Sequence, residues 1–195
     1  MQAHVYRYIE WAWIAVGAVW LTAGPASKKT AHREAATSRL LHIAIMTAAL
    51  ALVFPELPFI GRLPAGPLAA RFVPDSSVIA CTGLALTVAG CAFAIWARLR
   101  LGGNWSGSVT VKQDHRLVRQ GPYAIVRHPI YTGFLVGLLG AALALGEWRG
   151  IAGLALAFIG WGTKSRIEEA FMTEQFGDEY TGYQREVKAL IPFVL

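Results

Sequence analysis

Charge is what this sequence has least of. Asp, Glu, Lys and Arg make up 15% of its 195 residues, while 55% are hydrophobic. A soluble domain carries roughly 25% charged residues, so the composition speaks against a wetted globule and for an integral membrane protein. Cysteine is nearly absent too. Cys81 and Cys91 lie in one apolar run, ten residues apart. On a helix that is about 15 Å of rise, too far for a disulfide, so both read as small packing residues. The five histidines form no H-x-x-x-H pair and the cysteines offer no zinc spacing, so no protein-bound metal is expected. Glycine-rich nucleotide signatures are missing as well. Gly102-Gly103-Asn104-Trp105-Ser106-Gly107 has neither the P-loop lysine nor a preceding strand, and no G-x-G-x-x-G follows a strand, which argues against a soluble Rossmann site. No repeat or low-complexity tract breaks the chain. The net charge of +6 is spread over short loops between apolar runs, a topology signal rather than a nucleic-acid-binding face.

Long hydrophobic runs are what the chain does have. Five stand out: Ile9 to Ala23, Leu40 to Phe59, Ser77 to Ala97, Pro129 to Gly146 and Ile151 to Thr163. Tyr6, Tyr8, Trp11 and Trp13 mark the first as an interfacial aromatic belt would. A signal peptide is the alternative for it, but only Arg7 precedes the run and a basic loop follows at once, which favours an uncleaved span. The fifth run has only 13 residues where a span needs about 20. It is therefore expected to form a tight hairpin with the fourth through Glu147-Trp148-Arg149-Gly150 and to continue as one helix beyond its apolar part. Fourteen Lys and Arg fall in segments 24–39, 98–128 and 164–195, against four in the alternating segments. The positive-inside rule puts those three segments in the cytoplasm and the N-terminus outside. The expected fold is one all-α integral membrane domain over residues 1–195, with about five transmembrane helices. Three N-terminal spans fill residues 1–97. Residues 98–195 hold the fourth and fifth spans and a cytoplasmic pocket built by the 98–128 loop and the C-terminal segment.

Two polar constellations border the last two runs. Pro129 suits the first turn of a helix, which makes His128 its cap. Arg127 beside a helix N-terminus favours an anionic group such as a carboxylate. Tyr131 shares a face with His128. The plainer account is that Arg127 snorkels, His128 caps and Tyr131 belongs to an aromatic belt. Lys164, Arg166, Glu168 and Glu169 form the second group, at the foot of the fifth run. Acidic residues this close to a bilayer are functional candidates, although a solvated helix end with weak surface pairs accounts for them equally. Gly177 is a helix stop and Asp178 a plausible cap for a further helix.

In order, "LGGNWSG", "HRLVRQGPYAIVRHPIYTG" and "RIEEAFMTEQFGDEYTGY" resemble the C-terminal half of the isoprenylcysteine carboxyl methyltransferase family, which is related to the phospholipid N-methyltransferases. The resemblance covers about residues 98–195. It implies S-adenosylmethionine-dependent methyl transfer at the cytoplasmic membrane face, with no Rossmann domain. By the family's pattern the cofactor contacts are His115, Arg116, Leu117, Val118, Tyr123, His128, Pro129, Ile130, Tyr131 and Glu168, with Glu169 as the near alternative. Arg127 is added as a receiver for the cofactor carboxylate, and Tyr123, Tyr131 or Trp105 as aromatic faces for sulfonium or adenine. On the acceptor side, Lys164 stands where the family has arginine, with Arg166 as a compensating cation. Lysine does not reproduce a bidentate grip on a carboxylate. An amine acceptor has to lose a proton, which Glu169 or His115 would take; a carboxylate or thiolate needs no base. The expected partners are membrane lipid and a lipophilic or lipid-linked substrate, and no feature of the chain specifies an oligomeric state. Two other readings stand beside this one: a sterol-type reductase using a nicotinamide cofactor, whose relatives carry R-H-x-N-Y where this chain has R-H-P-I-Y, and a non-catalytic scaffold. Binding of S-adenosylmethionine, NADPH or neither separates the three.

Overall fold

A computed structural model describes residues 2–23, 30–33, 35–56, 66–105, 110–112 and 117–194. The helices are α1 (Gln2–Ala23), α2 (Ala36–Val53), α3 (Ser77–Leu101), α4 (Pro129–Leu145), α5 (Trp148–Phe176) and α6 (Asp178–Glu186). The first five fall on the five apolar runs. α1 begins seven residues before its apolar stretch, and α2 stops at Val53 because Pro55 removes the next backbone donor. By length and composition α2 and α3 are long and apolar enough to cross a bilayer, and α4 is a shorter apolar helix of 17 residues. α5 runs 29 residues without a break, so its apolar first half carries the polar second half straight out to the site. Gly177, with φ +53, ends α5 and caps α6, leaving Asp178 in the first turn of α6.

The expected all-α fold needs one amendment. Thr30–Arg33 (β1) and Thr110–Lys112 (β2) form a short antiparallel ribbon, with an irregularity between Thr30 and His32. It joins two of the three segments that the basic-residue count puts on one side of the membrane.

α3 and α4 form the most intimate pair in the bundle. Their facing positions are glycines: a Cβ on Gly90 would lie 2.5 Å from the Gly133 carbonyl oxygen, and one on Gly133 would lie 2.6 Å from the Gly90 carbonyl oxygen. Backbones meet here with no side chain between them, as small residues allow in membrane helices. Thr87, fully buried, aims its hydroxyl at two carbonyls, Gly83 O (3.0 Å) and Gly137 O (3.1 Å). α2 packs on α5, where Gly160 abuts Ile45, Met46 and His42. At the far end, Gly146 adopts φ +72 in the α4–α5 turn, and Arg71 reaches the Leu145 carbonyl to close it.

An aromatic series threads this bundle toward the site. Trp13 of α1 meets Phe54 and Phe134, Phe134 meets Trp161 of α5, Trp161 stacks on Tyr131 (6.0 Å, 15°), and Tyr131 stacks on His128 (5.7 Å, 9°). Such pairs contribute roughly 0.5–1.5 kcal/mol each beyond burial. They fix where α4 and α5 present their polar ends.

Candidate functional site

His128 caps α4 through its backbone, while its side chain turns away from the helix. Its two ring nitrogens face two carboxylates from adjacent positions on α5: Nδ1 lies 3.3 Å from Glu168 and Nε2 lies 3.0 Å from Glu169. Neighbouring residues on a helix point about 100° apart, and the imidazole spans that angle. Donating to both carboxylates requires both ring nitrogens protonated.

Each carboxylate has further partners. Glu168 accepts the Tyr131 hydroxyl at 2.5 Å. Glu169 accepts Arg127 Nε and Nη2 at 2.9 and 2.7 Å on one oxygen, and Gln184 Nε2 at 3.1 Å on the other. The Arg127 and Glu169 side chains are 10% and 16% exposed, against 25% for Glu168. Glu169 is thus saturated by the protein's own donors. Glu168 keeps acceptor capacity and the more open position.

The C-terminal segment completes the frame. Arg127 N donates to Lys188 O (2.8 Å), His128 N to Ala189 O (2.9 Å) and the Thr132 hydroxyl to Leu190 O (2.7 Å). Arg127 Nη1 also reaches the carbonyls of Gln184 and Val187. Sequence reasoning missed Gln184 and these carbonyls. A backbone acceptor has no residue signature, and Gln184 lies 57 positions from Arg127.

Burial by itself pushes the His128 imidazole down, but its hydrogen bonds to Glu168 and Glu169 outweigh that and hold it above the ordinary histidine value. Burial likewise pushes Glu169 up, and the bonds from His128 and Arg127 more than reverse it, so it lies below the ordinary range. The raised histidine contributes stability below about pH 6.5 that is lost as pH rises through its folded value. The depressed glutamate contributes stability above about pH 4.5 that is lost as pH falls through its own. Unfolding midpoints of detergent-solubilised protein should therefore be highest between those two values. A flat profile, or a maximum above pH 8, would show that the two groups are not coupled in this way.

The structure sorts the remaining candidates. Pro129 and Ile130 are buried, with Ile130 packed against Ala97 and Tyr123. Tyr123 is buried, its carbonyl receives the Tyr183 hydroxyl, and burial first, then the charge of Glu168, holds its phenol above the ordinary range. Leu117 and Val118 are half-buried, and Val118 packs against the cluster of Ala97, Tyr123 and Ile130. Trp105 packs edge-on to Trp20, and the guanidinium of Arg98 lies 4.4 Å over its ring. His115 and Arg116 lie outside the described residues. On α5, Lys164 and Glu168 point within about 40° of each other, whereas Arg166 points about 160° from Lys164. Arg166 and Glu169 instead line a cavity of about 370 Å³ on the opposite side of the helix. Among the described residues no group of three His, Cys, Asp or Glu side chains is arranged to hold a metal ion.

Residues 83–174 match the sequence model of the isoprenylcysteine carboxyl methyltransferase (ICMT) family. The chain is similar to the protein-S-isoprenylcysteine O-methyltransferase of Schizosaccharomyces pombe (36% identity, covering 50% of this chain and 43% of that one). It is also similar to protein-S-isoprenylcysteine O-methyltransferase B of Arabidopsis thaliana (29%, 57% and 58%) and to the protein-S-isoprenylcysteine O-methyltransferase of Saccharomyces cerevisiae (32%, 55% and 49%). The chain spans about half the length of these curated relatives. The solved structure of the eukaryotic intramembrane Ras methyltransferase ICMT superposes with a TM-score of 0.51 at 24% identity, over 80% of this chain and 63% of that one, which shows a shared fold. The matched stretch, residues 83–174, contains Arg127, His128, Glu168 and Glu169, so the candidate site lies inside the part of the chain that is similar to the isoprenylcysteine carboxyl methyltransferase family.

Proposed function

We propose that this protein is an S-adenosylmethionine-dependent methyltransferase that esterifies the carboxylate of a lipophilic substrate at the cytoplasmic membrane face. The observation that carries the reading is Glu168, held between Tyr131 and His128 with acceptor capacity to spare, inside the family-matched segment. The donor set fits the cofactor. Glu168 suits its ammonium, and the half-buried Tyr131 bonded to it is the aromatic ring at hand for a sulfonium or an adenine. When bound, S-adenosylmethionine supplies a methyl group already activated on sulfur. What remains for the chain is to align donor and acceptor and to exclude water.

Within this reading the Arg127–Glu169–His128 cluster is the brace that orients Glu168 and Tyr131. Leu117, Val118 and Tyr123 form the loop side of the pocket, with His115 and Arg116 added by family resemblance. Lys164, on the face of α5 shared with Glu168, meets the acceptor. A carboxylate acceptor is already a nucleophile, so Glu169 has no proton to remove and its role is positional. The names of the relatives favour an S-prenylated cysteine carboxylate over a thiol or an amine. Five spans, with the 98–128 loop and the C-terminal segment cytoplasmic, complete the proposal; the basic-residue split and the β1–β2 pairing support it.

The test is calorimetric titration of S-adenosylmethionine, followed by transfer of labelled methyl to a prenylated N-acetylcysteine. Glu168→Gln should weaken binding by about thirty- to a hundredfold, the cost of one hydrogen bond to a charged group. The labelled product should release methanol in base, as a methyl ester does and a methylamine does not. Unchanged affinity in Glu168→Gln would remove α5 from the cofactor site, and a base-stable product would remove the carboxylate acceptor.

A further inference from the structure

The cavity of about 370 Å³ that Arg166 faces belongs to neither the Glu168 side of α5 nor the aromatic series. One wall is the outer arc of α5, from Phe158 to Glu169. The other is the C-terminal segment, from Lys188 to Val194. Its chemistry changes along its length. Phe158, Leu190 and Val194 are apolar, and Arg166 and Lys188 are cationic. Phe158 precedes Arg166 by eight residues, about 12 Å along the helix axis. Thr163, the last residue of the apolar run, falls between them, so the cavity crosses the boundary between hydrocarbon and cytoplasm.

The charges in it do not cancel. Arg127 and Glu169, which also line it, satisfy each other. Arg166 and Lys188 are exposed, and neither has a carboxylate within ion-pairing distance among the described residues. An occupant that complements the cavity has an apolar body on the membrane side and one negative charge at the interface. The surface around it matches that description: Ile159, Ile191, Phe193 and Val194 are all exposed, Phe193 at 95%. Apolar side chains exposed beside cations at this depth suit a lipid surface.

We propose that this cavity is a binding site for one anionic glycerophospholipid of the cytoplasmic leaflet, its phosphate bridging Arg166 on α5 and Lys188 on the C-terminal segment and its acyl chain lying along Phe158. The bridged segment is the one whose Lys188, Ala189 and Leu190 carbonyls hold Arg127, His128 and Thr132. Lipid occupancy therefore ties the frame of the candidate site to membrane charge. The binding itself does not depend on the methyl-transfer reading, and its test needs no turnover.

Native mass spectrometry of the full chain, titrated with phosphatidylglycerol or phosphatidylcholine of identical acyl chains, measures retention of a single lipid. Phosphatidylglycerol should bind roughly twentyfold more tightly, about fivefold for each cation at the interface. Arg166→Gln and Lys188→Gln should each lose about fivefold of that preference, and the double variant nearly all of it. Both side chains are exposed, so the variants should unfold at the parent's temperature, which the same samples check. Arg185→Gln, an exposed cation on α6 that does not line the cavity, should keep the full preference. Equal retention of the two lipids, a preference that survives the double variant, or an equal loss in Arg185→Gln would overturn the proposal. So would competition by glycerol phosphate as effective as by the intact lipid, which would mark a free-anion site, or displacement of the lipid by S-adenosylmethionine, which would place the cofactor here instead.

Discussion

Gly90→Val should leave almost no folded protein, whereas Gly17→Ala, in a helix of similar apolarity, should be neutral or stabilising by up to about 1 kcal/mol from helix propensity. The contrast follows from what each new carbon would meet. At Gly90 it would lie 2.5 Å from the Gly133 carbonyl oxygen and against the Gly137 nitrogen; at Gly17 nothing lies within 4 Å. Overpacking a core usually costs about 1–3 kcal/mol because side chains give way. Here both obstacles are backbone and the helices have to part. Parting them also breaks the reach of Thr87 to Gly137 O and loosens the buried cluster around Leu138 and Ala141. A loss of about 4 kcal/mol or more is expected. Unfolding followed by tryptophan fluorescence in detergent measures it, and a Gly90→Val protein with the parent's midpoint would mean that α3 and α4 do not touch at this point.

Glu169→Ala should be the most damaging single change at the polar end, and its damage should appear as instability before it appears as lost chemistry. The substitution strips acceptors from Arg127, His128 and Gln184 together. Breaking a buried ion pair from one side costs about 3–5 kcal/mol. Arg127 at 10% exposure still touches solvent and keeps its backbone acceptors, so about 3 kcal/mol is expected. The matching double variant, Arg127→Met with Glu169→Leu, removes both charges and should recover more than half of that loss. Losses that simply add in the double variant would show that the two side chains act independently. Glu168→Ala provides the contrast, since it gives up fewer bonds from a more open position and should cost about 1 kcal/mol.

The two ends of the molecule were unequally legible in the sequence. Helix positions could be read because a long apolar run is a local signal, carried by neighbouring residues alone. The prolines and glycines at 129, 146 and 177 marked the right boundaries for the same local reason. The β1–β2 ribbon could not be read: its strands have four and three residues and find each other across some 80 positions. α1 starts seven residues before its apolar run, and Tyr6, which reads as part of an aromatic belt, also donates its hydroxyl to Val53 O and so ties α1 to α2. At the site, residue types announced a cluster but not its pairing. Arg127 read as a receiver for an outside carboxylate, and the structure gives it Glu169, 42 residues away. The rivalry between Glu168 and Glu169 assumed a single pocket on one face. His128, with a nitrogen turned to each, gives the two glutamates different tasks.

The clamp between the C-terminal segment and Arg127–Thr132 also sets an order of events during synthesis. Arg127, His128 and Thr132 leave the ribosome some 60 residues ahead of the carbonyls that hold them. At about 5–20 residues per second, those groups wait several seconds for their acceptors. Glu168 and Glu169 join only in the last third of that interval, still without the C-terminal frame, and a nascent chain can hold its helices in place yet be unable to organise its polar end. The finished arrangement is reached only when the chain has passed residue 190, so truncation just before Val187 should leave the helices formed and Arg127, His128 and Thr132 without these acceptors.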